Sequence, residues 1–282
     1  MFLVKTIVAL QNHLQEVRNH HKSIGFVPTM GALHDGHRSL ISHSLEMGQY
    51  TVVSIYVNPT QFNDSSDLEK YPRPISDDLN FLYEWGCDVV FLPADEEMYP
   101  KDGLKLPPIE LGHLGNSLEA AFRPGHFEGV LQIMDRLLGI VLPDILFMGL
   151  KDLQQVAVVR LLISEVGFSC QLIGLPIVRE PHGLARSSRN DRLSVSDRND
   201  ASIIYETLKE TFDNYPHKSL VELKETALNR LEHPPFRPEY FEFVRTDNLR
   251  ILTSKKEYQG SVSVVTAVWC GQIRLIDNMG MP

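Results

Sequence analysis

The sequence lacks several things that would decide its class at once. It has three cysteines in 282 residues, Cys87, Cys170 and Cys270, widely spaced and with no CxxC pair. No histidine clusters near them, so neither a disulfide framework nor a cysteine zinc site is expected, and they read as reduced, buried thiols. Lys and Arg (27) are outnumbered by Asp and Glu (36), a formal charge of −9, which excludes a general nucleic-acid or membrane-surface binder. Any anion site must therefore be local. No apolar run approaches the length of a membrane span, and the start Met1-Phe2-Leu3-Val4-Lys5 lacks the pattern of a secretory leader, so the cytoplasm is the expected address. Internal repeats and low-complexity tracts are also missing.

What is present is 43% hydrophobic residues, enough for one large or two modest domains, arranged in alternating strand and helix patterns. Ile7, Leu10, Leu14 and Val17 have helical spacing; Ile24–Val27 reads as a buried strand and Arg38–Leu45 as a helix. Thr51–Val57, Asp88–Pro93, Ile145–Met148 and Leu172–Val178 read as further strands, with helices over Ser76–Trp85, Leu131–Ile140 and the run holding Gln154, Gln155, Val158 and Val159. That order predicts βαβ units and a parallel sheet. Tyr99–Gly115 is rich in Pro and Gly and reads as a loop or a short β excursion. From about Ser194 the pattern changes to helices over Ile203–Phe212 and Leu220–Leu231, then strands over Tyr240–Val244, Leu249–Leu252, Val262–Trp269 and Gln272–Asn278. The fold class expected is α/β, a Rossmann-like parallel sheet over residues 1–178 followed by a smaller α+β domain over 179–282.

The chemistry concentrates where strands hand over to helices. Pro28-Thr29-Met30-Gly31-Ala32-Leu33-His34-Asp35-Gly36-His37 places two histidines three residues apart at such a junction. Unpaired N–H groups and the dipole of a helix start favour an anion there, and glycines let it approach the backbone. The histidines add donors, and if protonated they would neutralise charge on a departing pyrophosphate. On its own His-x-Gly-His is a weak signal, because a histidine near a turn is more often simply satisfied. Asn58 and Gln61 lie just past a strand end, where open parallel sheets bind ligands, although Asn58-Pro59 also reads as an ordinary turn. Asp77 and Asp78 read as helix-capping acids, with a magnesium role as the alternative. Gly149-Leu150-Lys151-Asp152 repeats the strand-to-helix geometry with a mobile cation. Arg179–Arg192 carries four arginines and Ser187-Ser188-Arg189, hydroxyls and a forked cation suited to a triphosphate.

With Val57-Asn58-Pro59-Thr60-Gln61-Phe62, Arg123-Pro124-Gly125-His126-Phe127-Glu128-Gly129-Val130, Gly149–Gln155 and Ser187–Asn190 added to the two-histidine turn, the chain resembles the pantothenate synthetases over essentially its whole length. The resemblance implies a Rossmann-like nucleotidyltransferase domain with a C-terminal lid, a cytoplasmic homodimer, and ATP, with magnesium, joining pantoate to β-alanine through an acyl adenylate. It implies an ATP pocket of Met30, Gly31, Ala32, Leu33, His34, Asp35, Gly36 and His37, with Gly149, Leu150, Lys151, Asp152, Val178, Arg186, Ser187, Ser188 and Arg189. His37 would be the proton donor, His34 would lie on the phosphates, and Lys151 and Arg189 would supply charge. Gln61 and Gln155 would hold pantoate, Gln61 also lying near β-alanine, with Asn58 assisting. Met148 and Arg186 depart from the usual aromatic and apolar residues; Met148 reads as a packing change, and Arg186 either faces the nucleotide or points to solvent. An adenylyltransferase, a tRNA-synthetase-like module and a catalytically dead ATP-binding regulator are the rivals. Asn58, Gln61 and Gln155 favour a small polar acid, and the missing Lys-Met-Ser-Lys-Ser signature and the acidic balance count against tRNA.

Overall fold

The computed structural model describes residues 1–63, 68–99 and 109–282. Six strands form one parallel sheet: β1 (Phe2–Val4), β2 (Ile24–Thr29), β3 (Tyr50–Ile55), β4 (Val89–Phe91), β5 (Ile145–Gly149) and β6 (Gln171–Leu175). Around it lie α1 (Ile7–Asn19), α2 (Asp35–Glu46), α3 (Ile75–Glu84), α4 (His126–Val141) and α5 (Leu153–Val166). Alternation along the strands splits their side chains between two cores. Phe26, Val52, Phe91 and Leu146 pack against Leu10 and Leu14 of α1, Leu137 of α4 and Val159 of α5. Val27, Val53, Val90 and Phe147 meet Leu40 and Ile41 of α2 and Leu82 of α3 on the other face. A strand with both faces covered must be apolar throughout, which is why these runs are β-branched rather than alternating with polar residues.

Strand order is β1-β4-β3-β2-β5-β6. The chain leaves β2 toward β3 and β4, then returns to the other side of β2 with β5 and β6, so the order reverses between β2 and β5. Ligand clefts open at the carboxyl ends of strands at such a switch point. The turns after β2 and β5, Met30–His34 and Gly149–Asp152, therefore stand side by side.

The remainder forms a three-stranded antiparallel sheet, β7 (Phe236–Arg245), β8 (Val262–Cys270) and β9 (Ile273–Gly280), covered by α6 (Ser202–Asn214) and α7 (Leu220–Leu231) around a core of its own. Tyr240, Leu249 and Val265 pack onto the first core, docking this sheet against the parallel one.

Three expectations need correction. Leu249–Leu252 is not a strand: Leu249 has φ 59° and inserts into the first core, leaving one bridge between Ile251 and Val244. β1 was not expected, because three residues are too short to show a period. The helix expected over Leu131–Ile140 begins earlier, at His126, behind a left-handed Gly125. Of the irregular stretch Tyr99–Gly115, residues 100–108 lie outside the described residues, and Gly112–Gly115 forms a short 3₁₀ turn.

Gly129 of α4 lies directly on the Pro59–Gln61 turn, where a methyl group would stand 2.4 Å from the Thr60 carbonyl oxygen. Gly129→Ala is therefore expected to lower stability by about 1–3 kcal/mol, read as an earlier urea midpoint with unchanged slope. A wild-type midpoint would show that the turn yields without strain.

Candidate active site

After β2 the backbone turns sharply, with Gly31 at φ 77° and Ala32 at φ 51°. Only a ligand for the exposed amides makes that conformation stable in a buried place. Asp78, buried on α3, supplies it: Oδ2 accepts from Ala32 N at 2.9 Å and Oδ1 from Leu33 N at 2.8 Å. A Cβ at position 31 would stand 2.8 Å from Asp78 Oδ2, so glycine is required by contact as well as by φ. Burial raises the Asp78 pKa, and the two amides hold it back. Asp78 lies in the first turn of α3 with Asp77, as expected, but its side chain clasps the neighbouring turn instead of capping its own helix. Helix α3 starts at Ile75 with no side-chain cap, both oxygens of Asp78 serve the turn, and Asp77 is exposed.

The turn delivers the two histidines to the start of α2. His34 is the N-cap residue; its Nδ1 accepts from Gly36 N at 3.1 Å, and His37 Nδ1 accepts from His34 N at 3.3 Å. A Cβ on Gly36 would strike the His34 ring at 2.8 Å. An imidazole nitrogen that accepts from an amide carries no proton, so each neutral ring bears its hydrogen on Nε2. The rings lie 4.2 Å apart between centroids. Burial lowers the His34 pKa to about 2, helped by His37, Arg186 and Lys151. Burial also lowers His37 to about 4, with Asp152 opposing and Lys151 and Arg186 assisting. The condition set for a cationic role is thus not met at neutral pH, where both rings are uncharged Nε2–H donors.

Across the cleft, Asn58 is buried and its Nδ2 donates to the Gly129 carbonyl at 3.1 Å and to Gln61 Oε1 at 3.2 Å. Its Oδ1 accepts from the hydroxyls of Thr60 and Tyr99. With its amide saturated, Asn58 orients Gln61. Gln61 Nε2 rests on Met30 Sδ at 2.9 Å, a weak acceptor that a polar ligand would replace. Gln155 lines the same cavity, whereas its neighbour Gln154 is buried and caps backbone at Leu114, Ser117 and Glu119.

Lys151 faces the cleft with Asp152 Oδ1 3.8 Å away. Its turn is held from the other sheet: Asn278 Nδ2 donates to the carbonyls of Leu150 and Lys151, at 2.8 and 3.1 Å. Arg179 grips Asp277, the residue before, through two nitrogens at 2.6 and 2.8 Å. Asn190 pins the Ser-Ser-Arg turn through Glu180 and the Ala185 carbonyl, while Ser187 caps it by accepting from Arg189 N. Arg186 lines the cleft, and its guanidinium is tied to Asp191 at 3.1 Å and Glu180 at 3.5 Å. Met148 is buried in the first core and also lines the cavity.

This cavity, about 220 Å³, is thus walled in part by His34, His37, Asn58, Gln61, Lys151 and Gln155, with Met30, Gly36, Gly149, Asp152, Val178 and Arg186 to Arg189 also lining it. Gly31, Ala32, Leu33, Asp35 and Leu150 do not line it: the first three form the clasped turn behind it, Asp35 is exposed, and Leu150 packs under Gly174. Sequence reasoning missed Asp277, Asn278 and Gln154, whose partners are remote in the chain and carry no motif. It quoted Arg123 and His126 within a motif but assigned them nothing.

A parallel sheet with two donor-bearing turns at its switch point defines the class of nucleotidyltransferase-like α/β enzymes. The sequence profile described as Pantoate-beta-alanine ligase matches residues 2–280. A pantothenate synthetase from Azobacteroides pseudotrichonymphae is 42% identical over 281 residues, covering 99% of both chains; one from Bacteroides thetaiotaomicron is 41% identical over 280, covering 99% of this chain and 98% of that one. The crystal structure of the Thermus thermophilus pantothenate synthetase superposes with a TM-score of 0.91 at 36% identity, covering 99% of each chain. That of the Francisella tularensis pantoate-beta-alanine ligase, complexed with beta-gamma ATP and beta-alanine, gives 0.79 at 33%, covering 99% of this chain and 97% of that one. The chain belongs to the pantoate–β-alanine ligase family.

The two rings titrate near 6.5 when unfolded but at about 4 and about 2 here, so the unfolded state binds more protons as pH falls through that window. Their contribution to stability is complete above pH ~6.5 and is lost as pH drops toward 4 and below. The double variant His34→Asn, His37→Asn, which keeps a capping acceptor at each site, should lose less of its urea midpoint between pH 6.5 and 4 than wild type. An equal loss would assign the acid sensitivity to other groups.

Proposed function

We propose that this chain makes pantothenate from pantoate, β-alanine and ATP by way of pantoyl adenylate. The observation that carries the reading is the pairing of two uncharged Nε2–H donors and Lys151 with the amides of Gln61 and Gln155 in one cavity. In the first step a pantoate carboxylate oxygen attacks the α-phosphorus, an O–P bond forms, and the bond to the β-phosphate bridging oxygen breaks with its electron pair leaving on pyrophosphate. His34 and His37 donate to phosphate oxygens without adding charge in the ground state. Lys151, Arg186 and Arg189 supply the positive charge. Gln61 and Gln155 hold pantoate, and Asn58 keeps Gln61 turned toward it. In the second step the β-alanine amine attacks the acyl carbon and AMP leaves. No side chain need become a covalent nucleophile; positioning and electrostatics do the work.

Among the described residues no three His, Cys, Asp or Glu side chains gather as a metal site, and both Asp78 oxygens are engaged. Magnesium would arrive on the nucleotide's own phosphates, which asks for few or no protein carboxylates, and no step here runs through it. We further propose that residues 1–178 form the catalytic domain and 179–282 its cover, that the enzyme is a homodimer, and that it works in the cytoplasm. Among the described residues no helix is long and apolar enough to cross a membrane.

The test mixes protein, ATP, magnesium and pantoate with and without β-alanine, following pyrophosphate, AMP and product mass. AMP release that requires both acids, with a product of pantothenate's mass, is expected; no pyrophosphate release with pantoate would overturn the reading. His37→Ala or Lys151→Ala should cut turnover on the order of a hundredfold, the usual loss of a donor aimed at a transition state. Unchanged turnover would remove that residue from the mechanism.

A further inference from the structure

Four residues of the cleft, His34, His37, Asn58 and Gln61, turn the acceptor atoms of their side chains into the protein. His34 Nδ1 accepts from Gly36 N and His37 Nδ1 from His34 N, which leaves each ring an Nε2–H and no bare nitrogen. The Asn58 amide has one orientation, because the Gly129 carbonyl only accepts and so faces its nitrogen, while Oδ1 takes the hydroxyls of Thr60 and Tyr99. Its other N–H goes to Gln61 Oε1 at 3.2 Å. Gln61 therefore shows the cavity Nε2 alone, resting on the Met30 thioether. Among the described residues the carboxylate lining this cavity is Asp152, with Lys151 Nζ 3.8 Å from its Oδ1. The cleft thus offers hydrogen-bond donors where a base would be expected.

The chemistry of the intermediate gives that arrangement a use. Pantoate carries a hydroxyl on the carbon γ to its carboxylate and two methyl groups on the β carbon. Once the carboxylate is adenylated, this hydroxyl is the nearest nucleophile. Its oxygen can attack the acyl carbon and form a C–O bond, closing a five-membered lactone. The acyl bond to AMP then breaks, its electron pair leaving on the phosphate, and the hydroxyl proton passes to water. Oriented intramolecular reactions reach effective concentrations of about 10⁵ M or more, far above that of any dissolved amine. An enzyme that joins the adenylate to an external amine must therefore hold this hydroxyl back.

We propose that the Asn58–Gln61 amide pair guards pantoyl adenylate against closing on itself to a lactone. The inference rests on the ligase reading above and gives Gln61 a task beyond holding substrate. Gln61 Nε2 leaves Met30 Sδ and donates to the γ-hydroxyl oxygen, occupying a lone pair that the attack requires. With Oε1 taken by Asn58, the amide offers that hydroxyl no acceptor for its proton, and neither imidazole has a bare nitrogen to serve as base. A neutral amine begins its attack without a base, so surroundings that quiet the hydroxyl leave amide formation open. Asn58 is the positioning residue of the pair: it touches no reacting atom and acts by fixing which end of the Gln61 amide faces the cavity.

The test follows pyrophosphate, AMP, amide and lactone at neutral pH with pantoate and, in parallel, with α-hydroxy-β,β-dimethylbutyrate, which lacks the γ-hydroxyl. Gln61→Glu keeps an oxygen toward Asn58 and puts a carboxylate oxygen where Nε2 stood. Lactone per AMP should rise about a hundredfold, the lower end of what a positioned base supplies. Asn58→Ala leaves Gln61 neutral but free to turn over, and should raise lactone per AMP by about tenfold, the upper worth of one neutral hydrogen bond. A merely loosened site would leak adenylate to water with either acid, whereas the guard predicts AMP in excess of amide with pantoate alone. A third measurement uses wild-type protein with ATP and pantoate but no β-alanine: lactone should form at least about a hundredfold faster once the protein is denatured and the adenylate set free. Lactone forming as fast on the protein as off it, lactone per AMP unchanged in the turning-over variants, or excess AMP that persists with the deoxy acid overturns the guard alone. Wild-type protein that releases no pyrophosphate with pantoate overturns the ligase reading itself.

Discussion

Two hydrogen bonds from one buried carboxylate hold the active turn in place. Gly31 and Ala32 adopt left-handed backbone angles that expose the amides of Ala32 and Leu33, and Asp78 accepts from both. Without that partner the amides would be buried and unsatisfied, and the turn would relax toward ordinary angles. His34 would then no longer sit at the start of α2, where its ring both caps the helix and fixes its own tautomer. The geometry of the two-histidine turn therefore begins on α3, a helix that touches no substrate in the proposed reaction.

The second consequence of tight packing is electrical. Burial strips the histidines of the solvent that would stabilise a charge, and Lys151 and Arg186 disfavour protonation further. The cleft carries its positive charge on Lys151 and Arg186 and leaves the imidazoles as directional donors. A neutral donor follows charge as it develops in the transition state without binding the ground state as strongly as a cation would.

The antiparallel sheet does more than cover the cleft. Asn278 holds the carbonyls of Leu150 and Lys151, and the Glu119–Arg274–Glu239 chain, with Tyr240, is a buried ionic seam between the two sheets. Such a seam is geometrically exacting, because breaking one member leaves another charge buried without a partner. It places Lys151 and the nearby Arg123 under the control of residues more than a hundred positions away in the chain.

Most of the strands, the βαβ alternation and the three strand-to-helix turns were legible because each depends on a local period or on a local Gly, Pro or Asn. His34, His37, Gln61 and Lys151 follow strand ends that βαβ topology brings to one edge, whereas Gln155 and Arg189 were assigned to the same cleft through the resemblance to the family. Asp78 was misread for a physical reason: an acid in the first turn of a helix has the same local appearance whether it caps that helix or reaches across to another element. The neutrality of the histidines, the grip of Asn278 on the lysine turn and the insertion of Leu249 into the other core were decided only by the tertiary structure. Each depends on which groups are excluded from water together, and burial is a property of the packed chain that no short stretch of sequence carries.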